Sequence, residues 1–363
     1  MTTEFGISER ALEDHHPEWL NTLSGTIDLR SGLVKPWDPA DMITYCLDAR
    51  VQAGAPCSLF WNLVLRACGG KQHIAEYLVK VLGYSMLGEN PEQLIFFLQG
   101  PTASGKTALL NVVTRLLGPL AHNSTSELIM VTKNGRNARS ENSIRGRRLV
   151  TITETSGWLV IEEAQLKRLT GDRDISVDRH YALEQLPTVV SWLIIVATNE
   201  MPVLANPDGA IHRRVMIIPM GQTIPEHERD LHLTDRILAE ERDGVLSLLA
   251  WGAHEVLSGR FEPPVEVRIA SDSYWWRQDT VGRFLAEFTT YPVQQSLNGQ
   301  GPRVFASQHA TWEAYRLFTK DGPRLPKQEF KPKLVTMPGI HADDNQRRYE
   351  GFELTPEVLA MVL

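Results

Sequence analysis

The chain has 363 residues, 42% hydrophobic and 22% charged, with a net charge of −7 at neutral pH. That size supports two or three domains with real cores, and no apolar run approaches the ~20 residues of a membrane span. The acidic balance argues against a protein that coats nucleic acid with its whole surface; the start, Met1-Thr2-Thr3-Glu4-Phe5, is no signal peptide, and Cys46, Cys57 and Cys68 lack metal spacing, so a cytoplasmic location is expected.

Residues 1–90 read as a helical N-terminal adaptor domain. Leu23–Leu33 alternates around glycines, as a hairpin does. Asp38-Pro39 supplies an N-cap and first-turn proline for a helix burying Met42, Ile43, Tyr45, Cys46 and Val51. Two more helices are expected around Leu59–Cys68 and Ile74–Leu82, ended by Gly69-Gly70 and Gly83. Nothing here carries a catalytic signature.

Residues 91–221 alternate strands with helices or loops. The apolar runs Leu94–Leu98, Arg148–Thr153, Ser191–Ala197 and Val215–Ile218 imply an α/β fold with a mostly parallel sheet. After the first run stands Gly100-Pro101-Thr102-Ala103-Ser104-Gly105-Lys106-Thr107, followed by helical spacing over Ala108–Leu117 and a stop at Gly118-Pro119. This fits G-x-x-x-x-G-K-[ST] in the strand–loop–helix context of a phosphate-binding loop. Gly100 and Gly105 let backbone N–H groups wrap a β-phosphate, and the helix N-terminus adds partial positive charge. Lys106 is placed to reach the β- and γ-phosphates, and the Thr107 hydroxyl to hold Mg²⁺. A nucleoside triphosphate is the expected ligand.

The next strand ends at Glu154, a carboxylate that can polarise water or hold Mg²⁺ through its water shell. Thr153 and Thr155 flank it, and either it suffices alone or Glu162 or Glu163 folds back. The run Trp192–Thr198 ends at Asn199, whose amide can orient water against a γ-phosphate. Arg213 and Arg214 precede the last strand; one can serve as a finger into a neighbouring subunit's nucleotide while the other pairs locally.

Residues 222–294 read as a helical segment: Leu231–Leu257 with Gly244 inside it, then an apolar stripe of Val281, Phe284, Leu285 and Phe288. Residues 295–363 begin with the turn-rich Gln295–Pro302. A helix with Trp312, Tyr315 and Phe318, a basic helix Lys327–Leu334 and a hairpin around Arg347–Phe352 then fit a winged-helix-like domain that binds DNA or a partner. Two local zones reverse the acidic balance. Lys133–Arg148 has six basic residues against one acid, and Arg316–Arg348 has eight against four, as suits phosphate contacts along one channel or face.

Gly100–Thr107, Glu154, Leu166–Asp172, Ala197–Pro202 and Ala210–Arg214 occur in that order within 115 residues. This set resembles the superfamily-3 helicases of the phage, plasmid and poxvirus primase–helicase type, a branch of the AAA+ ATPases. The resemblance implies an AAA+-like P-loop ATPase core over 91–221, with ATP and Mg²⁺ between subunits of a homo-oligomeric ring, a hexamer. It implies catalytic roles for Lys106, Glu154, Asn199, Arg213 and Arg214. Single-stranded DNA would thread the channel at a fork, with Lys167, Arg179 and His180 as contacts; the last two fall in Asp178–Pro187, where the family's DNA-contacting hairpin should lie. The expected activity is ATP-dependent DNA unwinding in phage, prophage or plasmid replication, beside primase or other replication proteins and with no membrane role. The chain would be a stand-alone helicase or part of a longer protein. An origin-binding initiator without processive unwinding and a small-molecule P-loop kinase are the rival readings.

Overall fold

A computed structural model describes residues 16–130, 138–153, 160–161, 163–171, 174–178, 185–204, 209–290, 304–320, 324–337 and 339–363. The chain divides into two units, Met1–Ser271 and Asp272–Leu363. The segments read from the sequence as an adaptor and an ATPase do not pack separately. Leu20, Phe60, Leu109, Ile195 and Leu249 share one buried cluster.

The first unit opens with a three-stranded antiparallel meander, β1 (Trp19–Thr22), β2 (Gly25–Asp28) and β3 (Val34–Lys35). The helix expected after Asp38 is a single 3-10 turn, Pro39–Asp41. Asp38 does cap it, accepting from the Ala40 amide at 2.9 Å. Met42 then adopts φ 56°, a left-handed conformation that ends the turn, and its side chain stays exposed. Helices α1 (Ser58–Ala67) and α2 (Gln72–Tyr84) follow.

Gly83 lies inside α2 and does not terminate it. A Cβ there would land on the Ala253 nitrogen and the Leu249 carbonyl of a later helix, α8 (Arg242–Leu257). Gly252 is its counterpart, since a Cβ at that position would approach the Val79 carbonyl to 2.6 Å. The two glycines let the helix backbones touch.

The central sheet is built from β4 (Ile95–Gln99), β5 (Ala121–Ser124) and β6 (Leu149–Ile152), with helix α3 (Lys106–Leu117) following β4 and α4 (Ala138–Ser143) preceding β6. The short pair β7 (Val160–Ile161) and α5 (Glu163–Gly171) comes next, then the antiparallel hairpin β8 (Asp174–Asp178) and β9 (Gln185–Val189). The sheet is completed by β10 (Leu193–Thr198) and, after β11 (Val203–Leu204) and α6 (Gly209–His212), by β12 (Val215–Pro219). Its order is β12-β4-β10-β6-β5, every pair parallel. All six residues of β10 are buried, as expected of a central strand covered on both faces. The edge strand β5, Ala-His-Asn-Ser, has no apolar run and escaped the sequence reading.

Helices α7 (Leu233–Glu240) and α8 break at Glu241, and α9 (Val265–Gln278) contains the division between the units. Glu241, 4% exposed, takes up three donors at the start of α1: Ser58 Oγ at 3.1 Å and the Leu59 and Phe60 amides at 2.9 Å each. A carboxylate at a helix N-terminus satisfies amides that the helix cannot and complements its dipole.

Arg148 is fully internal at 1% exposed. Its guanidinium donates to the carbonyls of Met86 (2.6 Å), Trp19 (2.9 Å) and Pro17 (3.0 Å). The basic zone read over Lys133–Arg148 therefore loses Arg148 to the core, while Arg147 donates to the Pro119 carbonyl. The stretch 131–137 lies outside the described residues.

The second unit has α10 (Thr280–Phe288), β13 (Phe305–Ser307), α11 (Gln308–Phe318), α12 (Lys327–Leu334), β14 (His341–Asp343), β15 (Arg348–Glu350) and α13 (Pro356–Val362). Its sheet has the antiparallel order β13-β15-β14. Phe284, Tyr315, Phe330 and Phe352 form its core, and the Tyr315 hydroxyl, buried among them, bonds Thr280 Oγ1 at 2.7 Å.

Candidate functional site

Strands β4, β10 and β6 are parallel neighbours, so their C-terminal ends open on one edge of the sheet. Loops at such an edge are where α/β sheets build sites. Leaving β4, the chain forms the Gly100–Gly105 loop and enters α3 at Lys106. Gly105 has φ +95°, which an L side chain rarely adopts. Gly100 is needed for a different reason: a Cβ there would come within 2.7 Å of the Met220 Cβ on the segment leaving β12.

Lys106 is 6% exposed. Its Nζ lies 2.7 Å from the carbonyls of both Gly100 and Pro101, 3.1 Å from Ser104 Oγ and 3.2 Å from Asn199 Oδ1. All four partners are neutral oxygens. Burial therefore pushes the Lys106 ammonium below the ordinary lysine value of 10.5. A cation whose partners among the described residues are all dipoles, at the N-terminus of a helix, is arranged to receive an anion.

Asn199 follows the last residue of β10. While its Oδ1 accepts from Lys106, its Nδ2 donates to Thr102 Oγ1 at 3.1 Å, so one amide joins strand end, lysine and loop. Thr107 and Thr153, the latter just past β6, line the same cleft. Their hydroxyls could hold a metal ion on that wall. Glu154, Glu162, Asp172, Arg179 and His180 lie outside the described residues.

The adjacent arginines separate. Arg214 is 8% exposed, and its Nη1 donates to the Lys167 carbonyl at 2.9 Å and to Thr170 Oγ1 at 3.1 Å. It ties the end of α5 to the start of β12, the local pairing expected of one member of the arginine pair. Arg213 is exposed. Lys167, expected at nucleic acid, pairs with Glu163 one helical turn away at 3.0 Å. Glu163 is thus engaged on its own helix. Either side of residues 179–184, which lie outside the described residues, Asp178 of β8 pairs with Gln185 of β9.

The cleft, about 640 Å³, extends well beyond the loop. That lies within the ~300–1,000 Å³ common for small-molecule sites. One wall is α1, where Leu59, Asn62, Leu63 and Arg66 recur at i, i+3, i+4 and i+7. A second part of the lining comes from residues 224–233, pinned to the loop by Ile224 N–H donating to the Ala103 carbonyl at 2.9 Å and Thr223 Oγ1 to the Thr102 carbonyl at 2.9 Å. Arg66 and Glu228 form an ion pair that joins the two parts. The sequence reading gave these residues no role; the signal was the polar pair Asn62 and Arg66 within the apolar helix Ser58–Ala67.

A family model described as a family of unknown function (DUF5906) matches residues 98–214, from β4 to the end of Arg214. The chain is 22% identical over 209 residues to a protein of Acanthamoeba polyphaga mimivirus named "putative helicase", covering 56% of this chain and 22% of that protein. A Frog virus 3 (isolate Goorha) protein also named a putative helicase is 22% identical over 224 residues, covering 56% of this chain and 23% of that protein. The chain thus spans under a quarter of the length of these relatives. Among solved structures, the apo C-terminal region of NrS-1 superposes with a TM-score of 0.48 at 13% identity, covering 83% of this chain and 76% of that one. No described helix is long and apolar enough to cross a membrane.

Proposed function

We propose that the chain is the motor of an ATP-dependent DNA helicase of the superfamily-3, AAA+ type, acting in replication of a phage, prophage or plasmid. The observation that carries the reading is the Lys106 ammonium, held by neutral oxygens on the loop and by Asn199 at the end of the neighbouring strand. A triphosphate seated on the loop would replace those weak acceptors with charged ones, freeing the Asn199 amide to orient water at the γ-phosphate. Mg²⁺, when bound, supplies neutralisation of the β- and γ-oxygens. Thr107 would hold it, with Glu154 as its second support and as the group that polarises water.

Arg213 is the exposed member of the arginine pair and so the one free to complete a neighbour's site, which makes hydrolysis depend on assembly into a ring, a hexamer by the resemblance. The β8–β9 hairpin, whose connection holds Arg179 and His180, would face the single strand in the channel. There, contacts to the backbone rather than base edges permit movement without regard to sequence. The order α10-β13-α11-α12-β14-β15 in the second unit supports a winged helix for duplex DNA or a replication partner. The names of the two viral relatives favour a helicase over a small-molecule kinase.

The test is strand displacement on a fork, with ATP, by the wild-type chain and by Lys106→Ala. ATP hydrolysis stimulated by DNA and unwinding lost in the variant support the reading. Unwinding that survives Lys106→Ala, or hydrolysis indifferent to DNA, defeats it.

A further inference from the structure

We infer that Asn62 on α1 reads the base of the nucleotide whose phosphates lie on Gly100–Thr107. The inference rests on that reading of the loop and adds which residue sets base preference. The cleft has a phosphate end, marked by Lys106, Asn199 and Thr153, and continues between α1 and residues 224–233. Leu59, Leu63, Ile224 and Leu233 give this continuation its apolar lining. Apolar side chains beside a phosphate loop suit the faces of a flat heteroaromatic ring.

The polar side chains of this end divide by what they already bind. Arg66 is paired with Glu228. Asp230 accepts from Arg236 at 2.7 Å, and Arg229 Nε donates to the Ile224 carbonyl at 2.8 Å. Asn62 is exposed on the cleft, and among the described residues no group bonds its amide, so it is available to a ligand there. It stands one turn from both Leu59 and Arg66 on a helix whose first turn is fixed by Glu241. A carboxamide offers one acceptor and a donor pair. That matches the adjacent donor and acceptor on adenine's outer edge, N6–H and N1.

The chemistry predicts what a single-atom change does. An aspartate at 62 only accepts, which suits the two adjacent donors of guanine, N1–H and N2–H, and repels the N1 lone pair of adenine. Equilibrium dissociation constants for ATP, GTP and inorganic tripolyphosphate would be measured on the full chain and on Asn62→Asp. The expected result is a shift of the ATP-to-GTP preference toward GTP by roughly tenfold or more, the size of a good base contact, with tripolyphosphate affinity unchanged. An unchanged ATP-to-GTP ratio with tripolyphosphate still bound overturns the assignment of Asn62 while leaving the loop's role intact. ATP binding no tighter than tripolyphosphate in the wild type also overturns it, because the base would then contribute nothing. A wild-type chain that binds neither ATP nor tripolyphosphate removes the loop reading itself, and the inference with it.

Discussion

The amide of Asn199 accepts from Lys106 Nζ at 3.2 Å and donates to Thr102 Oγ1 at 3.1 Å, closing the phosphate loop on its own lysine. An aspartate at 199 would hold the ammonium with a full charge and set that charge against an incoming γ-phosphate. Asn199→Asp should therefore keep or raise resistance to unfolding while lowering ATP turnover by a hundredfold or more, an order of magnitude taken from the removal of single oriented donors in other sites. Thermal unfolding and phosphate release on the same preparation check both halves.

Arg213 and Arg214 should fail in opposite ways. Arg214→Ala leaves the Lys167 carbonyl and Thr170 hydroxyl short of a donor inside the fold, at a cost of about 2–3 kcal/mol. Arg213→Ala removes an exposed side chain and should leave stability within about 0.5 kcal/mol. If Arg213 acts on a neighbour's nucleotide, Arg213→Ala abolishes turnover, and mixing it with Lys106→Ala restores part. Denaturant titration and turnover of mixed chains measure these outcomes.

Lys106 also sets a pH dependence. Its folded pKa lies below the ordinary 10.5, so between those two values the unfolded chain binds more protons and stability rises with pH. Below the folded pKa, the cost of keeping the ammonium buried is constant. Lys106→Met removes that cost. Relative to the variant, the nucleotide-free wild type should gain stability as pH rises toward 10.5 and gain no more above it, read by denaturation across that range. A gap that stays constant or widens contradicts the buried ammonium.

Gly83 and Gly252 give a purely structural prediction. Gly83→Ala and Gly252→Ala each force a methyl against main-chain atoms of the facing helix, and backbone cannot move aside as a side chain can. Each should cost at least about 1–3 kcal/mol, the range for overpacking. Neither glycine has a positive φ, so the cost there is steric alone; the same change at Gly54, where a Cβ meets nothing and φ is +74°, tests backbone strain without a clash. Urea midpoints for the three variants decide it.

What could be read from the sequence was what depends on neighbours along the chain. The loop from Gly100 to Thr107, the apolar strands β4, β6, β10 and β12, and the stop of α3 at Gly118 all carry local signals. Distant contacts had none. Gly83 looks like a helix end until α8 is known to lie across it, and Arg148 looks like part of a basic patch until main-chain carbonyls close around it. The Asp38 cap was legible, yet it starts only one turn, because Met42 turns left-handed. Arg213 and Arg214 are indistinguishable as letters. The strand that begins at Val215 decides which of them is drawn inside.

The α1 wall has a practical consequence for anyone trimming the gene. The stretch from 98 to 214 contains the phosphate loop, but its facing helix begins forty residues earlier and hangs from a carboxylate at 241. A fragment cut to that stretch would cradle phosphates on a half-open shelf. The smallest piece expected to grip a whole nucleotide reaches from the first meander through α8.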